Sequence, residues 1–237
     1  MTAFNEIKVF VGYDERESFV YHTCVQSILD NTSAVVDFIP LQTKTLREQG
    51  IYTREKDPKQ SNEFSFTRFL VPYLSGYVGR SVFMDCDIVV QGDLLELYEQ
   101  MNPVGAVGVV QHDYEPKLQT KYFGQKQYRY PKKNWSSVMI FNNGLCQQLT
   151  VDYVNQASGL ELHQFKWLGK REPDTLPITW NWLVNEYEEN NEAKLLHYTN
   201  GAPCIDGFEN SDSADVFWKY AERVQRARED DPQEMCA

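Results

Sequence analysis

Short apolar runs rich in β-branched residues alternate along the chain with longer segments whose apolar positions recur at helical spacing. This alternation is typical of βαβ units, so we predict the α/β class, with helices flanking a mostly parallel central sheet. The strands are predicted at residues 7–11, 35–41, 81–84, 106–111, 136–141 and 194–198. The helices are predicted at residues 15–31, 64–74, 93–100, 145–155 and 213–228, with a turn or two of helix in the polar stretch 43–62.

The length of the chain, 237 residues, is enough for one hydrophobic core of ordinary depth, and we expect a single domain. Apolar residues make up 42% and charged residues 24%, which excludes disorder, collagen-like repeats and coiled coil. The 34 acidic side chains outnumber the 23 basic ones and give a net charge of −11. Because that charge repels a polyanion, we expect no nucleic acid partner.

The cysteines are odd in number, lie tens of residues apart and form no CxxC pair; they are Cys24, Cys86, Cys146, Cys204 and Cys236. Such spacing is typical of a reducing compartment rather than of a disulfide framework. No stretch approaches the roughly 20 apolar residues of a membrane span, and the first residues lack the basic and apolar regions of a signal peptide. We therefore expect a cytoplasmic protein without a transmembrane segment.

The run from Ser81 to Val90 delivers two carboxylates, Asp85 and Asp87, at the end of an apolar strand and on the same side of it. Two unpaired carboxylates in a buried setting repel each other, so we predict a divalent cation between them, Mn²⁺ or Mg²⁺. In the alternative, one aspartate caps the next helix and the other pairs with a basic side chain. Asp93 is already a suitable cap for that helix, which favours the metal site.

The segment Phe83-Met-Asp-Cys-Asp-Ile-Val89 resembles the DxD motif of GT-A glycosyltransferases, especially the retaining family 8 group. Three other segments resemble that family in the same order along residues 7 to 200: Val11-Gly-Tyr-Asp14, Phe66-Thr-Arg68-Phe-Leu-Val-Pro72 and Trp135-Ser-Ser-Val-Met-Ile-Phe-Asn142. The resemblance implies one Rossmann-like GT-A domain over residues 1–237. Its nucleotide-sugar-binding half would be 1–112, and its acceptor-side half, with the carboxyl-terminal helix, 113–237.

The resemblance also implies roles for individual residues. Asp14 and the Tyr13 backbone would contact the base, and Arg68 would approach the diphosphate. Asp85, Cys86 and Asp87 would form the DxD segment, with both aspartates catalytic. His197 would be the third metal ligand. Each has a structural alternative: Asp14 as a helix cap, Arg68 as a surface charge and His197 as a hydrogen-bonded core imidazole.

Near the carboxyl end the sequence departs from the family, because the lysine expected shortly after His197 is missing. The positive charge could come instead from residues 116–135, which carry no acidic residue and six basic ones: Lys117, Lys121, Lys126, Arg129, Lys132 and Lys133. Interleaved aromatics, Tyr122, Phe123, Tyr128, Tyr130 and Trp135, suit sugar stacking. We predict that this loop lines the entrance for an acceptor bearing phosphate or carboxylate; in the alternative it is a solvated surface loop.

A weaker constellation surrounds Trp180-Asn181-Trp182. The two tryptophans are expected to pack in the core, whereas Asn181 could face a sugar hydroxyl, with Glu172 and Asp174 beside it as further catalytic candidates. Both acids could equally be solvated loop residues.

We therefore predict a metal-dependent glycosyltransferase that moves a sugar from a nucleotide diphosphate donor to a hydroxyl of a carbohydrate or glycan acceptor, by the family resemblance with retention. One alternative is a phosphohydrolase of the haloacid dehalogenase type, whose DxD lies on the first strand, whereas about 80 residues precede it here. Another is a non-catalytic binder of nucleotide sugar or carbohydrate. The terminal helix is predicted to pack on the domain or on a second copy, which leaves a homo-oligomer open.

Overall fold

The computed structural model describes residues 6–57, 60–127 and 130–229. Its strands are β1 (Glu6–Tyr13), β2 (Val35–Gln42), β3 (Arg80–Met84), β4 (Ile88–Val90), β5 (Val107–Val110), β6 (Thr120–Lys121), β7 (Gln125–Lys126), β8 (Val138–Asn142), β9 (Asp174–Leu176), β10 (Trp182–Leu183) and β11 (Leu195–His197). Its α-helices are α1 (Ser18–Asn31), α2 (Thr43–Glu48), α3 (Val71–Leu74), α4 (Leu94–Glu99), α5 (Val151–Gln156), α6 (Gly159–His163) and α7 (Ala214–Glu229).

Among the described residues, six strands form the central sheet in the order β2-β1-β3-β8-β5-β9. Five of these described strands run in the same direction and β8 runs against them, so the predicted α/β class with a mostly parallel sheet is confirmed. Strands β3, β5 and β8 are almost wholly buried, as their continuous apolar sequences predict for strands covered on both faces. Strand β2 lies at the edge and carries Pro40, which an edge strand tolerates.

The run around the aspartate pair is two strands rather than one. Strand β3 ends at Met84 in the central sheet, the chain bends through Asp85 to Asp87, and β4 joins a second sheet with the described order β10-β11-β4. Strand β4 is antiparallel to β11, where Ile88 lies opposite His197. The bend therefore brings the DxD segment beside a histidine about a hundred residues further along the chain.

Helix boundaries differ from the predictions in two places. The segment 64–74 is not one helix: a 3₁₀ turn, Thr67–Leu70, leads into the short α3, where Pro72 lies in the first turn. Helix α5 begins at Val151 and not at 145, because the Thr150 side chain caps it by accepting from the Tyr153 backbone N–H at 3.1 Å. The α6 helix was not predicted, although Ser158 and Glu161 form a capping box at its start.

Helix α1 packs on the central sheet and against α7, as the predicted apolar spacing of the terminal helix requires. Phe217, Tyr220 and Ala221 of α7 are buried there with Val20 of α1. Within the described residues, no helix combines the length and the apolar character needed to cross a bilayer. The predicted polar tail after residue 230, including Cys236, lies outside the described residues.

Candidate active-site cleft

A cleft of about 490 Å³ opens at the carboxyl ends of the central strands. Among the described residues, five segments line it: Asp57 with residues 60–68, the DxD bend, residues 121–127 and 130–133 of the basic loop, the turn at 134–137 before β8, and the start and end of α6. His197 and Thr199 also line the cleft. Ligands of open α/β sheets collect at such an edge, so this cleft is the candidate active site.

The predicted metal residues converge at the floor of this cleft. Asp85, Asp87 and His197 are each less than 9% exposed, and one ligand atom from each lies within 4.8 Å of the others. His197 Nε2 lies 3.3 Å from Asp87 Oδ1, and His197 Nδ1 lies 2.9 Å from Oδ1 of the buried Asn181. The amide of Asn181 also donates to Ser137 Oγ at 2.8 Å, so Asn181 fixes the orientation of the imidazole ring.

The electrostatics of this cluster fit a divalent cation. Burial raises the pKa of Asp85 to about 6, opposed by the charge of Arg68 and reinforced by that of Asp87. For Asp87, burial alone would raise the pKa, but His197 and Lys121 outweigh it and the pKa lies below its usual value. No hydrogen bond within the described residues reaches Asp87 Oδ1, which is fully buried. Two carboxylates and one imidazole are a ligand set suited to Mn²⁺ or Mg²⁺.

Arg68 is 4% exposed, so the alternative of an ordinary surface charge is wrong. Its Nη1 atom lies 2.7 Å from Asp85 Oδ1 and donates to the Ser136 carbonyl at 2.9 Å. Its guanidinium carbon stands 4.9 Å from the centre of the Phe83 ring and 5.3 Å from that of Phe64. These contacts hold a permanent positive charge against the DxD segment.

The basic loop folds over the cleft as the β6–β7 hairpin, and its Lys121, Lys126 and Lys133 line the cleft. Lys121 is half-buried, and its charge acts on Asp85, Asp87 and Glu17. Burial lowers the pKa of Lys133 to about 8. The residues Tyr128 and Arg129 of the predicted acceptor loop lie outside the described residues.

The predicted base-contacting residues adjoin the cleft without lining it. Asp14 is buried and accepts hydrogen bonds from the Arg16 side chain at 2.6 and 3.0 Å and from the Glu63 backbone N–H at 3.2 Å. It also accepts from the Arg16 backbone N–H, so it caps the 3₁₀ turn that precedes α1, as the structural alternative proposed. Tyr13 is half-buried against Tyr21, and the Cys86 side chain is fully buried.

The remaining catalytic candidates do not come together. Asn181 is fully buried behind His197, so the expectation that it faces a sugar hydroxyl is corrected to a positioning role. Glu172 is 77% exposed and pairs with Lys132 at 2.7 Å. Asp174 begins β9, at the opposite end of that strand from the cleft, and accepts from Asn102 at 3.3 Å. Neither acid lines the cleft, because Glu172 precedes β9 and Asp174 is its first residue, whereas the carboxyl end of the strand points toward the cleft.

Two titratable side chains at or near the cleft, the half-buried His163 and the buried Glu17, were not predicted from the sequence. His163 Nδ1 lies 2.8 Å from Ser136 Oγ, and burial lowers the pKa of this histidine to about 3, so it is neutral. Glu17 is 2% exposed, accepts from the Tyr122 hydroxyl at 3.1 Å, and has its pKa raised to about 8 by burial and by the charges of Asp87 and Asp14. The capping box before His163 was the sequence signal that could have located α6; nothing comparable marked Glu17.

Comparisons with known proteins agree with this geometry. The profile of glycosyl transferase family 8 matches residues 9–203. The chain is 38% identical over 226 residues to Protein CDI of Arabidopsis thaliana, covering 92% of this chain and 87% of that protein.

Solved structures share the fold at low identity. The bifunctional glycosyltransferase WbbM superposes with a TM-score of 0.64 at 13% identity, covering 93% of this chain and 50% of its own. GlyE of Streptococcus pneumoniae TIGR4 gives 0.61 at 15% identity, with 94% and 64% covered. The galactosyltransferase LgtC, solved with donor and acceptor sugar analogues, gives 0.56 at 10% identity, with 92% and 96% covered. The chain thus spans about half of WbbM and less than two thirds of GlyE, and most of LgtC.

Proposed function

We propose, from the premise that this chain belongs to glycosyl transferase family 8 and is a glycosyltransferase, that it moves a sugar from a nucleoside diphosphate donor to an acceptor hydroxyl. The observation that carries the proposal is the convergence of Asp85, Asp87 and His197 beside Arg68 in one cleft of about 490 Å³. That volume suits a sugar attached to a nucleotide. Family membership also favours this reaction over the phosphohydrolase and over the non-catalytic binder.

The residues of the cleft have separable roles in this reaction. Breaking the anomeric bond leaves negative charge on the departing diphosphate, and a divalent cation held by Asp85, Asp87 and His197 supplies Lewis-acid stabilisation of that charge when bound. Asn181 keeps the His197 ring in place, and Arg68 adds a fixed positive charge beside Asp85. We propose retention of configuration, with the departing phosphate taking the acceptor proton and no protein nucleophile.

The acceptor side of the proposal rests on the basic loop. Lys126 and Lys133 line the cleft together with Tyr130, so positive charge and an aromatic face meet where an acceptor would enter. This combination supports a carbohydrate acceptor that bears phosphate or carboxylate.

A screen of nucleotide sugars tests the proposal. One or more should raise the thermal midpoint in the presence of Mn²⁺ and not in EDTA, and should release the nucleoside diphosphate when a suitable acceptor is added. Release of inorganic phosphate without acceptor would instead indicate a phosphohydrolase. Metal-dependent binding without transfer to any acceptor would indicate a binder.

A further inference from the structure

The β6–β7 hairpin brings one lysine to the predicted cation site. Lys121 lines the cleft with Asp85, Asp87 and His197, and its charge favours the ionised form of both aspartates, against the effect of burial on their pKa values. Within the described residues its ammonium group forms no ion pair or hydrogen bond, and its Nζ lies 5.4 Å from the centroid of the Tyr122 ring. A half-buried ammonium group without an anionic partner at contact distance is suited to receive one from a ligand.

The hairpin that carries Lys121 is fixed on two sides of the cleft. On one side the Tyr122 hydroxyl donates to the buried Glu17 at 3.1 Å, and the Tyr122 backbone N–H donates to the Asn200 carbonyl at 2.8 Å. On the other, the Gln125 amide donates to the Ser61 carbonyl at 2.6 Å. Lys121 is therefore presented by an anchored element, and little backbone conformational entropy remains to be lost when it binds a ligand.

Charge balance leaves a role for this lysine. The two aspartates together neutralise a divalent cation, so the charge of Arg68, 2.7 Å from Asp85, leaves this group at +1 against the two or more negative charges of a departing diphosphate. A diphosphate therefore needs further positive charge. The loop that follows His197, residues 198–210, contains no lysine or arginine. The hairpin and the residue after it contact that same loop at Asn200, so Lys121 is carried by an element packed on a loop that itself has no lysine or arginine.

We propose that Lys121, held over the cation site by the β6–β7 hairpin, binds the diphosphate of the donor and stabilises it as the leaving group. This inference rests on the proposed function and deepens it, because it assigns the diphosphate to a side chain of the hairpin. It also assigns different substrates to the lysines of the basic loop: Lys121 binds the donor, whereas Lys126 and Lys133 contact the acceptor.

The test compares the binding of nucleoside diphosphates and monophosphates by calorimetry with Mn²⁺ present. The affinities of UDP, GDP, ADP and CDP are first measured with the unmodified chain. The diphosphate that binds most tightly and the corresponding monophosphate are then used with each variant. Lys121→Gln should weaken diphosphate binding by about tenfold or more, the size of one charge-assisted hydrogen bond, and monophosphate binding by less. Lys121→Arg should restore most of the diphosphate preference. Lys117→Gln, whose parent ammonium donates to the Asn185 carbonyl outside the cleft, is the charge-matched control and should bind both nucleotides as before.

The outcomes separate this inference from the proposed function. If the unmodified chain binds none of the diphosphates, the proposed function fails and the inference with it. If it binds one and Lys121→Gln retains the same diphosphate-to-monophosphate ratio, only the inference is overturned. Equal losses in Lys121→Gln and Lys117→Gln would also overturn it, since general electrostatics would then explain both. Should Lys121→Gln not fold, as judged by circular dichroism, Lys121→Met replaces it, with the same outcomes.

Discussion

Asp87 combines two features at the scale of a single residue: an oxygen without a hydrogen-bond donor in the described part of the chain, and a histidine nitrogen 3.3 Å away. Most buried oxygens of structural carboxylates are satisfied by donors, and Asp87 differs in that its unsatisfied oxygen lies beside a second carboxylate and an imidazole. Asp93 shows the contrast, since its oxygens accept from Ser33 and from the Leu95 backbone N–H at the start of α4. Asp87 is therefore assigned to metal binding, whereas Asp93, six positions later, caps helix α4.

Replacing each of these aspartates separates the two roles. Asp87→Ala should abolish Mn²⁺-dependent donor binding while leaving the protein folded, because Asp87 is a proposed metal ligand whose Oδ1 has no hydrogen-bond donor in the described part of the chain. Asp93→Ala should lower the free energy of unfolding by about 1 kcal/mol, the usual effect of losing a helix cap, and leave metal-dependent binding intact. Thermal melts and donor titrations with and without Mn²⁺ measure both. An unfolded Asp87→Ala, or one that binds donor with unchanged metal dependence, would contradict the assignment.

Glu17 gives a prediction about stability and pH in the metal-free protein. Burial raises its pKa from 4.5 to about 8, with the charges of Asp87 and Asp14 adding to the effect. Between these values the unfolded chain loses the proton while the folded chain keeps it, so Glu17 lowers stability progressively as pH rises from 4.5 to 8.

Glu17→Gln removes this titration and can still accept from the Tyr122 hydroxyl. Its advantage in free energy of unfolding should be near zero at about pH 4.5 and grow to on the order of 2 to 4 kcal/mol by about pH 8. Urea unfolding in EDTA at several pH values measures the difference, with the exposed neighbour Glu15→Gln as control. A constant difference across this range, or one that shrinks as pH rises, would show that Glu17 is ionised in the folded state.

At the scale of elements, the part of the basic loop from Thr120 to Lys126 is a hairpin held by the contacts of Tyr122 and Gln125. We expect Lys126→Ser, alone and with Arg129→Ser, to raise the KM for an anionic acceptor several-fold and more than the KM for the donor. The effect should shrink as salt is raised, because mobile ions screen partly exposed charges. Steady-state kinetics at two ionic strengths, with Lys117→Ser as control, provide the measurement. Equal increases in both KM values would assign Lys126 to the donor, and no change would leave it as surface.

The elements also show what the sequence could predict. Strands β1, β2, β3, β5 and β8, and the two acids at the end of β3, followed from apolar runs because those signals are local, whereas β9 and the bend into β4 were not predicted. The position of β4 beside β11 did not follow from such signals, since it depends on pairing between residues about a hundred apart. For the same reason the sequence identified six basic residues in the loop but did not single out Lys121. The position of Lys121 depends on the long-range contact of its neighbour Tyr122 with Glu17. Asn181 was found but given the wrong role, because its partner on β11 is fixed by register with β10.

At the scale of the whole molecule, the net charge and the packing of α7 together determine whether the chain can bind a membrane. The chain carries a net charge of −11. Helix α7 nevertheless contains three arginines, Arg223, Arg226 and Arg228, and basic residues on an amphipathic helix can bind anionic lipid. Two of these arginines are already paired: Arg223 lies 2.7 Å from Asp30 of α1, and Arg226 lies 3.3 Å from Glu222. The apolar side of the helix, with Phe217 and Tyr220, is buried against the domain.

This arrangement predicts the behaviour of the chain toward membranes. An amphipathic helix binds a bilayer through an accessible apolar face and unpaired basic residues, and α7 presents neither at Phe217, Tyr220, Arg223 or Arg226. In flotation with vesicles of phosphatidylserine and phosphatidylcholine the chain should remain in the lower fractions, as it should with phosphatidylcholine alone. Arg223→Ala should not alter this result, since the net charge only becomes more negative. Flotation with the phosphatidylserine vesicles that is lost at high salt would show that the chain has a lipid-binding surface, and flotation with both vesicle types would show that an apolar face becomes exposed.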